Sequence, residues 1–236
     1  MKITYIHHSS FLVELEQVLL LFDYTDGPLP ALAKDKTLIV FASHRHGDHF
    51  SPCIFDLARQ YPHIFYVLSD DIWQNRVPQE MHGCTEFIGP GEELEIEEYG
   101  NLRVTAFKST DEGVAFMVEC EGQTIYHAGD LNDWRWNGET KAWNNNMHAN
   151  YKKELEQIRS GGFHPDVAFV PLDGRLEEWF YLGLHEYMEQ VGADMVFPMH
   201  FWEDHSVIGR LKDLPASSEY REKVADIQKE GQIFLI

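Results

Sequence analysis

Only three cysteines occur in the 236 residues, Cys53, Cys84 and Cys120, and no two are close enough for a zinc knuckle. The spacing makes no disulfide framework either, so the fold depends on an apolar core and the chain reads as cytoplasmic. Positive charge is scarce. Lys and Arg number 19 against 39 Asp and Glu, a formal net charge of −20. Such a surface repels phosphate backbones and anionic lipid headgroups, which disfavours nucleic acid and membrane as partners and leaves a small-molecule substrate. No run approaches the ~18 apolar residues of a membrane span, and the first eight residues lack the apolar stretch of a signal peptide. Also missing are a G-x-S-x-G elbow, a G-x-x-x-x-G-K-[ST] loop and a strand-linked G-x-G-x-x-G. Serine hydrolases, P-loop enzymes and dinucleotide oxidoreductases therefore lack their machinery here.

What remains is a globular composition, 44% hydrophobic and 25% charged, sufficient for one domain over residues 1–236. Short β-rich runs at 2–7, 10–15 and 18–22 read as a meander, with further strands expected at 37–42, 64–68, 101–107, 114–120 and 123–127. Residues 52–60 and 70–76 have helical character. Helices at about 149–160, 176–190 and 217–229 alternate with strands at 166–170, 194–198 and 232–235. Sheets covered by helices follow from that order. Residues 131–150, with Trp134, Trp136, Trp143 and three consecutive asparagines, show no period and read as a long functional loop or insertion. Three tryptophans need a covering surface, so the segment is expected to build a substrate pocket, with Asn132 to Trp136 nearer the site than Trp143, or a homo-oligomer contact.

The chemistry concentrates in Ser43-His44-Arg45-His46-Gly47-Asp48-His49, directly after the apolar run Leu38 to Phe41. In an extended segment His44 and His46 would face one side and reach one metal ion, while Asp48 and His49 reach a second point nearby. Imidazole and carboxylate together suit zinc first, with manganese or iron as alternatives, and hydrolysis is the natural chemistry of such a pair.

This H-x-H-x-D-H pattern resembles the metallo-β-lactamase superfamily, and the likeness extends in order from residue 3 to residue 200. Asp23 matches the family's early buttressing acid, Gly129-Asp130 its Gly-Asp turn and His200 its closing histidine. The resemblance implies an α/β fold of four-layer αββα type. It also implies two divalent ions on His44, His46, Asp48, His49, Asp130 and His200, with a bridging water as nucleophile that Asp48 orients. Ile6 to Phe11 and the Phe-Pro-Met-His ending are similar to the branch containing ascorbate-6-phosphate lactonase. The expected activity is cleavage of an ester, lactone or phosphoester; a phosphodiesterase or nuclease and a noncatalytic metal-binding protein are the alternatives.

One family histidine is absent. Its loop reads Lys108-Ser109-Thr110-Asp111-Glu112-Gly113, in which Asp111 is either the substitute ligand or part of an ordinary turn cap. His8 and Trp134 are candidate substrate contacts. His205 is a further candidate, as substrate contact or proton donor, and His185 another donor. His127, inside an apolar strand, reads as a packed core histidine.

Overall fold

Runs of β-branched and aromatic residues dominate the first half of the chain, and in the computed structural model, which describes residues 1–236, they form ten strands. These are β1 (Lys2–His7), β2 (Ser10–Glu14), β3 (Val18–Phe22), β4 (Thr37–Ala42), β5 (Ile64–Ser69), β6 (Thr85–Ile88), β7 (Glu93–Ile96), β8 (Leu102–Lys108), β9 (Val114–Cys120) and β10 (Gln123–His127). The second part alternates: α1 (Lys141–Ser160), β11 (Val167–Pro171), α2 (Leu182–Gln190), β12 (Met195–Met199), α3 (Ser206–Asp213) and β13 (Ile233–Leu235). One sheet has the order β13-β1-β2-β3-β4-β5-β6, the other β12-β11-β10-β9-β8-β7.

The inner faces of the two sheets share one core, where Phe11 packs 4.2 Å from Phe169 and Phe41 lies 5.3 Å from Phe116, ring centre to ring centre. Burying a side chain of this size contributes roughly 1.5–3 kcal/mol. All five residues of β3 are buried because both faces of this central strand are covered, which is why it reads as an unbroken apolar run. Outside the second sheet lie α1 and α2, tied together by the Tyr151 hydroxyl, which donates to the Gly183 carbonyl at 2.7 Å. Outside the first sheet the covering layer is a 3-10 turn, Pro52–Arg59, which buries Ile54, Phe55 and Leu57 in a second apolar cluster. Two sheets between helical layers give the mixed α/β sandwich. No helix is long and apolar enough to cross a membrane.

Three expectations fail locally. Residues 217–229 form no α-helix; after short 3-10 turns the chain runs extended beside β12, where Ala225 N–H donates to Val196 C=O at 2.8 Å. The Trp-rich segment is loop only in its first half, since Thr140 caps α1 by accepting from Trp143 N–H and thus makes Trp143 and the three asparagines helical. The helix expected from 176 begins at Leu182, because Glu177 adopts φ 56° and breaks the preceding turn. Strands β6 and β7 and helix α3 add to the expected elements.

Candidate metal centre

The H-x-H-x-D-H segment is a turn after β4, not a continuation of the strand: both His49 N–H and Phe50 N–H donate to His46 C=O, at 3.1 and 2.8 Å. Its anchor is Asp23. Parallel β3 and β4 pair Phe22 with Phe41, so the residues just beyond their ends meet. There the buried Asp23 carboxylate accepts from Ser43 N–H, Ser43 Oγ–H and His49 Nδ1–H, each at 2.7 Å. A second close approach completes the turn: Gly113, at φ +66°, lies against the Ser43 carbonyl, which accepts from Val114 N–H at 2.9 Å.

Three imidazoles are held in the same way. His44 Nδ1–H donates to Ser43 Oγ at 3.0 Å, His49 Nδ1–H to Asp23, and His200 Nδ1–H to Asp173 Oδ2 at 3.0 Å. Each bond orients its ring so that Nε2 turns inward, where it presents a lone pair once deprotonated. Those Nε2 atoms lie 3.4, 3.2 and 3.4 Å from the Asp130 carboxylate oxygens. Nε2 of His44, Nε2 of His49 and Asp130 Oδ1 are buried without a hydrogen-bond partner. An orphaned buried polar atom costs about 1–3 kcal/mol, which a cation among these donors would relieve.

The donors fall into two sets, His44, His46, Asp111 and Asp130 in one and His8, Asp48, His49 and His200 in the other, with ligand atoms within 4.8 Å of one another in each. Asp130 stands between them, Oδ2 towards His44 and Oδ1 towards His49 and His200. Burial and the neighbouring His49 hold His44 down at about 4, so its imidazole is neutral at neutral pH. Burial works against ionisation of Asp130, but His49 and His200 keep its carboxyl well below the usual range; the contact with His8 does the same for Asp48. Asp111 is pushed up by burial and by Asp130.

All six motif residues therefore meet, and Asp111 joins His44 and His46 with Oδ2 3.7 Å from His46 Nδ1. The turn work in its loop is done by Ser109 Oγ, which accepts from Asp111 N–H at 3.1 Å, and by Thr110 Oγ–H, which donates to Asn132 C=O at 2.6 Å. His8 sits among the second set of donors, its ring 4.4 Å from His200 and 4.5 Å from Trp202, and it lines an adjoining cleft with Asp48 and Trp202. Trp134 lines the pocket, and its Nε1–H donates to Asp130 C=O at 2.8 Å. Trp143, expected farther out, lines the same cavity because the first turn of α1 carries it there. His205 does not reach the cavity; it bonds the Ile227 carbonyl at 3.1 Å. His185 pairs with the Tyr220 hydroxyl, and His127 is a core histidine bonded to Ser9 C=O and stacked on Phe22. Asp173, Arg175 and Trp202 were not foreseen. The signal for Asp173 was present, an acid just beyond the apolar run of β11.

Residues 2–144 match the family model described as a beta-lactamase superfamily domain. The chain belongs to the beta-lactamase superfamily. It is 25% identical to a UPF0173 metal-dependent hydrolase of Methanospirillum hungatei over 85% of this chain and 83% of that one. A protein of the same designation from Methanosphaerula palustris is 24% identical over 97% and 94%. Among solved structures, Igni18, a metallo hydrolase from Ignicoccus hospitalis, shares the fold with TM-score 0.69 at 17% identity, covering 100% of this chain and 98% of its own. The metallo-beta-lactamase fold protein YhfI from Bacillus subtilis does so with TM-score 0.63 at 16% identity, covering 99% and 98%. This superfamily member is a metal-dependent hydrolase. The likenesses do not single out the ascorbate-6-phosphate lactonase branch.

Proposed function

We propose that the chain hydrolyses an ester, lactone or phosphoester bond of a small metabolite, using two divalent ions, zinc before manganese or iron, held by the two donor sets. The observation that carries this reading is the convergence of three oriented imidazoles on the Asp130 carboxylate, with buried atoms left unpartnered between them. When bound, such cations supply Lewis acidity and activate water for attack.

The chain's own groups do the rest. Asp130 presents one oxygen to each donor set and keeps them adjacent. Asp48, partly exposed to the cavity and kept ionised beside His8, is placed to accept and orient a proton on the attacking water. Trp134, Trp136 and Trp143 wall a cavity of about 300 Å³, which admits a small molecule and sheds bulk water from one side.

The test is elemental analysis of purified and reconstituted protein, followed by a screen of carboxylic esters, lactones, phosphomonoesters and phosphodiesters. Two ions per chain and turnover abolished by a chelator are expected. A chain that takes up no divalent ion, or a loaded chain that cleaves none of these, overturns the proposal.

A further inference from the structure

We propose that Arg175 recognises an anionic oxygen group on the substrate, a carboxylate or phosphate, so that the site selects small anions carrying a flat apolar body. The inference rests on the reading of this cavity as the substrate site. Arg175 lines the cavity together with Asp48, Asp111 and Asp130, and is its one permanent cation.

Its geometry is that of a preset fork. Nε–H donates to Asp173 Oδ1 and Oδ2 at 3.0 and 2.9 Å, and Nη2–H donates to Oδ2 at 2.5 Å. These bonds occupy the Nε–Nη2 edge. A guanidinium carries five N–H donors, so both hydrogens of Nη1 and the second of Nη2 remain, and that end-on edge matches two oxygens of a carboxylate or phosphate. The group is also stacked, its central carbon 5.0 Å from the Trp202 ring and 5.7 Å from the Trp136 ring. With its side chain 49% exposed, it is anchored on one edge and open on the other.

Asp173 makes this more than a surface ion pair. The same buried carboxylate accepts from His200 Nδ1–H, so one residue sets both the donor imidazole and the guanidinium. The rest of the lining is largely apolar: Trp134 and Trp136 lie nearly parallel, 6° apart in plane, and Trp143 and Met147 come from α1. On a chain of net charge −20, an anion enters only where local cations reverse the field, and a fixed Arg175 beside the donor sets provides this.

The experiment uses zinc-loaded protein and near-isosteric probes, benzoate against benzamide, with phenyl phosphate as a second anion. Binding is read by tryptophan fluorescence and calorimetry, and zinc content is measured in parallel. Wild type should bind benzoate or phenyl phosphate at least about tenfold more tightly than benzamide, and the tighter anion names the oxyanion. Arg175→Met should keep its zinc and benzamide binding while the preference falls to within about twofold. A preference unchanged in Arg175→Met at full zinc content would show that the ions alone attract anions and would overturn the proposal, as would no preference in wild type. If Arg175→Met sheds zinc because Asp173 is released, Arg175→Lys decides: it keeps the charge without the fork, so a reduced preference supports the assignment and an undiminished one refutes it. Failure of the hydrolase reading is distinct, since it shows as absence of metal uptake or turnover in wild type whatever the anion preference.

Discussion

Gly113→Ala is the smallest change that should separate the metal turn from the sheet that supports it. A Cβ at this position would lie 2.1 Å from the Ser43 carbonyl oxygen and 2.5 Å from His44 Cβ. Ser43 C=O already accepts from Val114 N–H, so the contact cannot open without losing a buried hydrogen bond. Two costs add. The left-handed backbone, φ +66°, costs an L-residue roughly 1–2 kcal/mol, and overpacking typically costs about 1–3 kcal/mol, together about 2–5 kcal/mol. Gly122→Ala is the internal control: its φ is +74° but nothing lies within 4 Å of the added carbon, so only the first cost, roughly 1–2 kcal/mol, applies. Urea unfolding of both variants in chelator, where ion binding adds nothing to stability, should show the excess loss in Gly113→Ala. Elemental analysis after zinc loading should show that variant short of metal, because its strain falls on His44, whereas Gly122→Ala retains full content. Equal midpoints and equal metal in the two proteins would refute the idea that close approach at Gly113 positions the site.

Asp130→Ala should lose both ions, since its two oxygens face different donor sets, whereas Asp111→Ala should weaken only the set containing His44 and His46; loss of the same metal fraction from both would contradict the two-set arrangement. Asp23→Asn should lower metal affinity roughly 10–100-fold in chelator competition, through loss of the bond that orients His49, and wild-type affinity in that variant would exclude the role. Asp173 supplies a pH dependence. Burial raises its pKa, but hydrogen bonds from His200 and Arg175 outweigh this and hold it at about 2. Because that lies below the unfolded value of about 3.9, the group stabilises the native state above pH 4 by roughly 2.5 kcal/mol and loses this as pH falls towards 2. Asp173→Asn should therefore be less stable than wild type at pH 7 by that order and approach it near pH 2.5; a gap that does not change with pH would sink the argument.

Much of this was readable from the chain because the strands that carry the site are buried on both faces and so appear as unbroken apolar runs: β3 before Asp23, β4 before Ser43, and β12 before His200. The H-x-H-x-D-H spacing then named side chains that the fold brings together, although not their conformation, since a turn held by Asp23 and His46 replaces the extended segment. The place of His8 beside these donors depends on φ 44° at the end of the first hairpin, which no residue pattern reports for a histidine. The missing helix at 217–229 has a similar cause: Val224, Ala225 and Ile227 are apolar at a spacing a helix would also satisfy, and only the free edge of β12 decides for the extended form.

Asp173 is the instructive case, because its place follows from topology once strand order is known. Strands β10, β11 and β12 are parallel neighbours, with His127 beside Phe169 and Phe169 beside Phe197, so their C-terminal ends lie on one edge of the sheet at intervals of about 4.8 Å. Asp130, Asp173 and His200 each follow one of those ends within three residues. The middle strand then delivers a side chain within reach of those of its neighbours. A carboxylate in that position can hold the His200 ring from behind while Asp130 faces it from the front, and the 3.0 and 3.4 Å contacts on its two nitrogens are that arrangement. Arg175, two residues later, is brought to the cavity by the same strand end. Ligand orientation and the anion fork thus have one origin in the chain, which is why a substitution at Asp173 should disturb both and one at Arg175 only the second.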